Sequence, residues 1–535
     1  MSDLPDPVGA VISAGCREAA EVGAAVLASG GNAVDAAIAA SAVQCVRELP
    51  WCGLGGDAFA LVSGPEGRLE ALNGAGAVPT ALATASIPGG RLPRFGPLSI
   101  SVPGLVDAWW RLWERHGSRP FAALIEPAAE LADEGFALDD AFARALDRVR
   151  AAVGPDDPFV AEFCEGNGSA AGDGFRLPAL ARTLREIAAG GPAAFYTGSL
   201  ASNLVSTLDR LGGLLSADDL AAHSCDFEAP ITVRYGAAEV SVTPPVSMGW
   251  VLLQQLLLYE RLDGRLVDGV ADRIDLMVRC KHAAFADLAG MPSWQEASDV
   301  TAVLGEDSLD RWCSIIDDQR RSVLAPVGAP TAEAAAGDDT TCLSVADGRG
   351  LMVTFIHSLF NEFGSRVVVP GTGIVLNDRL AKQPARAGSN GGSDRPRRPL
   401  HTLVGYHVAH RGRRLVGATP GGRGQVQTNF QVLRAIIDDG ADPQAAVDGP
   451  RWLSGAPRLP DADDLLFLEP AFPPHLGSEL ARRGHPVAEQ GAASDSDLFG
   501  SCTIAGAGPQ RSETFGAADH RRGAALVTVT REETP

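Results

Sequence analysis

The feature that most limits the fold is a change of texture about two thirds of the way along the chain. Residues 325–339 include Ala325-Pro326-Val327-Gly328-Ala329-Pro330 and then Ala334-Ala335-Ala336-Gly337-Asp338-Asp339. Small residues, Pro and Gly offer no apolar face to bury, so this stretch predicts a flexible linker. Before it, apolar residues recur mainly with helical spacing; after it, short β-branched runs separated by turn residues dominate. This order predicts helical layers outside a large mixed sheet.

On the helical side, Gly30-Gly31-Asn32 predicts a turn with Asn32 capping a helix through Ala33–Ile38. Helices are also predicted over Phe121–Leu146, Ala179–Ala189, Trp250–Arg261 and Asp272–Leu288. Trp51–Val62 reads as a Gly-rich loop entering a buried strand, and Val240–Thr243 as a strand stopped by Pro244-Pro245. Beyond the linker, Thr341–Val345 and Leu351–Ile356 flank Asp347-Gly348-Arg349-Gly350, a hairpin signal. Further strands are predicted at Arg366–Val369, Ile374–Leu376, Thr402–Val408 and Arg414–Ala418, with a loop at Gln383–Arg398 and a helix at Gln425–Asp439.

Composition narrows the function classes. With 45 Lys+Arg against 66 Asp+Glu, the net charge of −21 argues against nucleic acid and against an anionic membrane surface. The 45% hydrophobic content is that of a globular chain, and 535 residues set a prior of roughly three or four domains. The 61 glycines predict many tight turns. Nine cysteines are scattered, Cys45 and Cys52 being nearest, so neither a disulfide framework nor a zinc site is expected. Met1–Ala10 has no basic residue and no apolar run behind it, so no secretory signal is expected. The apolar stretch Val22–Val46 is broken by Gly30, Gly31, Asn32 and Asp35, so no membrane span is expected. The expectation is a cytoplasmic enzyme with a small-molecule substrate, without metal or cofactor.

The sharpest local feature is Asp338-Asp339-Thr340-Thr341-Cys342-Leu343-Ser344-Val345, which puts hydroxyls where linker becomes strand. Alone it is compatible with ordinary turn and strand chemistry. Other segments accompany it in order: Gly30–Ala37, Leu54-Gly55-Gly56-Asp57, Ser101-Val102-Pro103-Gly104, Pro244–Trp250 and His282–Asp287. Phe363-Gly364-Ser365, Gly371–Ile374, Arg398-Pro399-Leu400 and Pro420-Gly421-Gly422 follow. Together they resemble the gamma-glutamyltransferase family of N-terminal-nucleophile (Ntn) hydrolases, almost end to end. The resemblance implies an α+β fold, a four-layer αββα sandwich, made by one interleaved domain of a large piece 1–339 and a small piece 340–535. It implies cleavage between Asp339 and Thr340, with Thr340 as nucleophile. The freed α-amino group, with a pKa of roughly 7.7–8.0, then serves as base. It also implies that Ser358 supports the nucleophile and that Gly421 and Gly422 form an oxyanion hole. A homodimer of the processed pair is compatible with it.

The chain departs from the family where a glutamyl group is held. Ala75 stands at the position of the family's carboxylate-binding Arg, and Lys382 near that of its amine-binding Asp. His401-Thr402 replace a pair of serines, and Phe360 replaces an Asn. The segments Phe355–Ser365, Pro399–Leu403 and Gly421–Thr428 are instead similar to the oxamate amidohydrolase-like branch. Two departures from that branch, Arg423 and Arg366, add cations that favour an anionic substrate. His357, His401, Thr402 and Gln425 are the polar candidates for substrate contact. The reading is therefore a self-processing hydrolase of a small acyl amide, oxamate-like or another oxalyl or keto-acid compound. The alternatives are a C–C bond hydrolase releasing an oxalyl unit, a glutathione hydrolase and, last, a scaffold that is never processed.

Overall fold

The computed structural model describes residues 9–291, 297–322, 339–383, 397–455, 465–488, 496–510 and 513–530. The expected linker up to 338 and most of the loop after Gln383 lie outside them. Two sheets form the centre. In the first, strands run in the order Ala525–Val529, Ala10–Ala14, Asp339–Ala346, Met352–Phe360, Asp57–Ser63, Leu69–Gly74 and Asp226–Glu228. In the second the order is Thr514–Ala518, Thr503–Ala507, Arg413–Ala418, Gly405–His410, Ala238–Val242 and Ile231–Tyr235. The ladders among these described strands are antiparallel, so two antiparallel sheets replace the single mixed sheet expected.

Side-chain alternation with a period of two decides which way each strand residue faces. Ile12, Leu343, Val345, Val353, Phe355, Ala58 and Ala60 pack under the helices Arg17–Ala28 and Ala33–Arg47. Phe59, Cys342, Ile356 and Ala418 meet between the sheets, as do Val11, Ala346, Met352, Val416 and Ala505. The outer face of the second sheet buries Val240, Val242, Tyr406 and Val408 against helices Gly249–Arg261, Val270–Gly290 and Gln425–Ile437. The result is helix, sheet, sheet, helix. Each sheet takes strands from both sides of residue 339, so a cut there separates no layer from another.

Local rules account for several elements. Asn32 accepts the N–H groups of Val34 and Asp35, and Asp35 returns the bond to Asn32 N. This reciprocal cap satisfies donors that a helix start leaves open. In the hairpin, Asp347 Oδ1 accepts the N–H of Arg349 and of Leu351. Phe121–Leu146, expected as one helix, is two: Phe121–Glu134 ends at Gly135, and Asp139 caps Asp140–Ala152. Among the described residues, no helix is long and apolar enough to cross a membrane.

Candidate active site

The site lies at one end of the first sheet, where Asp339–Ala346 begins and Met352–Phe360 ends. The ladder pairs Ile356 with Cys342 and His357 with Thr341, then shifts so that Phe360 faces Asp339. Thr340 therefore comes beside Ser358 just before the shift. On its other side, Ser358 is paired with Asp57. Thr340, Ser358 and Asp57 share parity with Cys342, Ile356 and Phe59, which face the second sheet. They form a row across adjacent strands. Thr340 is 4% exposed. Ser358 Oγ accepts the Phe360 N–H at 2.8 Å. Gly56 sets the strand entry close: a Cβ there would stand 2.5 Å from the Ser358 carbonyl oxygen.

The second sheet brings the turn after Ala418 to the same place. Pro420 and Ser501 line a cavity of about 610 Å³ together with Thr340. Gly421 follows with φ +119°, a left-handed conformation that side chains avoid. Gly422 then opens the short turn Gly422–Gly424 before the helix at Gln425. Chain connectivity thus keeps the Gly421–Gly422 backbone next to a wall of the cavity that Thr340 also lines.

At the far end of the row, Asp57 holds a buried cluster. Its Oδ2 lies 3.0 Å from His401 Nε2 and 3.3 Å from Arg379 Nε, and its Oδ1 accepts the Gly76 N–H at 2.9 Å. His401 Nδ1 lies 2.7 Å from the Pro399 carbonyl and so carries a hydrogen. Burial pushes the Asp57 carboxyl up, but His401 and Arg379 outweigh it and hold the group below the usual carboxylate range. Burial and the Arg379 cation push the His401 imidazole down. Next to Arg379, burial raises the Asp378 carboxyl to about 7 although Asn361 N and Nδ2 both donate to it.

The remaining expected residues divide. Thr402 is buried beside His401 in sequence. Gln425 is buried with its Oε1 accepting the Val404 N–H, so it ties a helix start to the second sheet. His357 points the other way, under the helix Ala33–Arg47, with Nε2 3.0 Å from Gln44 Oε1 and 3.3 Å from Ser41 Oγ. Burial lowers its pKa to about 3. This placement, behind the sheet from Thr340, does not suit the substrate contact expected of it. Arg366 is half-buried with its guanidinium 3.7 Å over the Phe95 ring, and Arg423 is half-buried in the turn after Gly422. Lys382 is exposed. The cation that reaches the row is Arg379, which sequence reasoning passed over. The available signal was a charged residue, Asp57, at the head of an otherwise apolar strand.

Behind the strand Asp339–Ala346, Thr341 Oγ1 donates to Glu48 Oε2 at 2.8 Å and accepts from Gln44 Nε2 at 2.7 Å. Burial raises Glu48 to about 7, against the lowering effect of the Thr341 bond and of Arg522. An unfolded Glu titrates near about 4.3. Between these values the folded chain holds a proton that the unfolded chain has released, so this group's stabilising contribution falls as pH rises. Glu48→Gln removes that loss. Its melting temperature relative to wild type should climb from about pH 4.5 to about pH 7 and then level off. A difference that stays flat across this window would refute the buried, protonated Glu48.

Two trios of potential metal ligands converge among the described residues, Cys45–Cys52–His357 and Asp107–His223–Cys225. Neither includes a residue of the row. Burial raises the Cys52 and Cys225 thiols, so these are poor thiolate donors.

A helix–sheet–sheet–helix sandwich with a buried Thr at the head of a central strand defines the class as an Ntn-type hydrolase. The sequence model of the gamma-glutamyltranspeptidase family matches residues 19–529. The glutathione hydrolase-like YwrD proenzyme of Bacillus subtilis is 31% identical over 445 residues, covering 82% of this chain and 83% of its own length. The oxamate amidohydrolase proenzyme of Klebsiella pneumoniae is 32% identical over 482 residues, covering 86% and 88%. Cephalosporin acylase from Bacillus halodurans superposes with a TM-score of 0.83 at 29% identity, covering 98% of this chain and 97% of its own. The protein belongs to the gamma-glutamyltranspeptidase family.

Proposed function

We propose that the chain cuts its own Asp339–Thr340 bond and then hydrolyses the amide of a small, anionic acyl compound through a Thr340 acyl-enzyme. The observation that carries this is the row at the strand ends: Thr340 beside Ser358, with Pro420, the residue before Gly421–Gly422, lining the same cavity as Thr340. In processing, Thr340 Oγ attacks the Asp339 carbonyl carbon and the acyl group moves from N to O. That shift breaks the Asp339–Thr340 C–N bond and frees the Thr340 amine, and water then hydrolyses the ester, releasing the Asp339 carboxylate and restoring Oγ. In turnover that amine takes the Oγ proton as Oγ attacks the substrate carbonyl. The Gly421 and Gly422 N–H groups receive the developing oxyanion, since no Cβ blocks their approach. The proton leaves on the amine product, and water releases the acid.

Relatives named proenzymes and an amidohydrolase support the reading. So does the absence of a cation at Ala75, where a glutamyl carboxylate would need one. The pieces 1–339 and 340–535 remain joined through both sheets. The nine cysteines are free thiols, which suits action in the reducing cytoplasm. The test offers oxamate beside γ-glutamyl-p-nitroanilide. Ammonia release from oxamate with little p-nitroaniline is expected. Fast γ-glutamyl turnover would move the substrate to glutathione.

A further inference from the structure

Arg379 is the most unusual cation in the described chain. Its side chain is fully buried, and its Nε is committed to Asp57 Oδ2. Its guanidinium carbon lies 4.4 Å over the Phe360 ring, which fixes the plane of the fork. Among the described residues, Nη1 and Nη2 have no hydrogen-bond partner. Leaving two donors of a buried guanidinium empty is costly, so such an edge is expected to have a ligand. The charges around it agree. Asp57 already accepts the Gly76 N–H at Oδ1 and Arg379 Nε at Oδ2, where His401 Nε2 also lies, so its oxygens are committed away from the outer edge of the fork. The nearest other carboxyl, Asp378, already accepts twice from Asn361.

The position also fits. Asp57 is two strands from Thr340, on the order of 10 Å, and Arg379 leans over Phe360, the residue paired with Asp339. Arg379 reaches the Asp57 side chain, which shares its face of the sheet with Ser358 and Thr340, so the fork lies in the same layer as Thr340.

We infer that the Nη1–Nη2 edge of Arg379 binds a carboxylate of the substrate, end-on and two-pronged, and thereby selects short amides that carry an acid group at the opposite end from the scissile bond. Asp57 and His401 act as positioning residues that hold the fork, and Phe360 is its platform. The inference rests on Thr340 being the nucleophile and names the substrate class for that same site.

The test uses the processed protein and two probes of nearly equal shape, oxalate and neutral oxamide, titrated by calorimetry. Wild type should bind oxalate and prefer it to oxamide. Arg379→Gln, which keeps donors but loses the charge, should weaken oxalate about 100-fold. Arg379→Lys keeps a cation for Asp57, guarding against a folding failure. It loses the fork and should weaken oxalate at least about 10-fold. In turnover, the preference for oxamate over oxamide should fall by a similar factor in both variants. Equal oxalate affinity in wild type and either variant, or no oxalate binding by wild type, overturns the proposal. A chain that stays uncut on a gel yet binds oxalate through Arg379 would defeat the Thr340 reading alone. A cut, active chain indifferent to oxalate would defeat this one alone.

Discussion

Thr340→Ala should leave the chain as one band of 55.5 kDa on a denaturing gel and remove hydrolysis altogether. The expected loss is about four orders of magnitude or more, because in the proposed mechanism one side chain supplies the attacking oxygen for both reactions. Wild type should run as two bands, the smaller beginning at Thr340 by N-terminal sequencing. Alanine removes Oγ but little volume, so the fold should survive and the melting temperature should change little. Thr340→Ser keeps an oxygen and should still be cut, more slowly. Ser358→Ala separates the roles, since it removes the hydroxyl that shares the face with Thr340, together with its bond from the Phe360 N–H, and leaves Thr340 Oγ in place. It should slow both steps by about 10- to 100-fold, within the range of a lost orienting hydrogen bond. An active, fully cut Thr340→Ala protein would end the assignment.

Asp57→Asn should be strongly destabilising. The carboxylate sits between Arg379 and His401, with both ion-pair side chains fully buried. Asparagine fills the same space but leaves a buried cation uncompensated, which costs about 3–5 kcal/mol. Denaturant unfolding at neutral pH reads this directly, and a loss below about 1 kcal/mol would show that the cluster is not held by charge. The pH dependence has a definite sign. The folded pKa of Asp57 is depressed, so its contribution is full above the unfolded value of about 4 and is lost as pH falls through the folded value. The gap between wild type and Asp57→Asn should therefore narrow only in acid.

Much of the local structure was legible from residue order. The Asn32 cap, the Asp347 hairpin and the helices at Gly249–Arg261 and Val270–Gly290 rest on contacts within a few residues. Thr340 stood out because hydroxyls follow a linker at the start of a strand. The strand Ala10–Ala14 was not legible: it is a short apolar run like many helix segments, and only its pairing with Asp339–Ala346 and Ala525–Val529 makes it a strand. His357 and Ser358 show the same limit at single-residue scale. Alternation says that they face opposite ways, but not which of them faces Thr340 until the second sheet is in place.

Arg379 and Lys382 divide what each level decides. The sequence by itself determined the layered helix and sheet composition, the junction at Asp339–Thr340 and the lack of a cation at position 75. These depend on residue type and on neighbours along the chain. Which cation is buried in the layer with Thr340 was decided only by tertiary structure. Lys382 ends exposed, whereas Arg379, three positions earlier, ends buried against Asp57, with Phe360 beneath its fork. The physical reason is that burial strips water from a guanidinium. What then holds it is a carboxylate and a ring brought from the distant segments Asp57–Ser63 and Met352–Phe360, a meeting that no local pattern along the chain records.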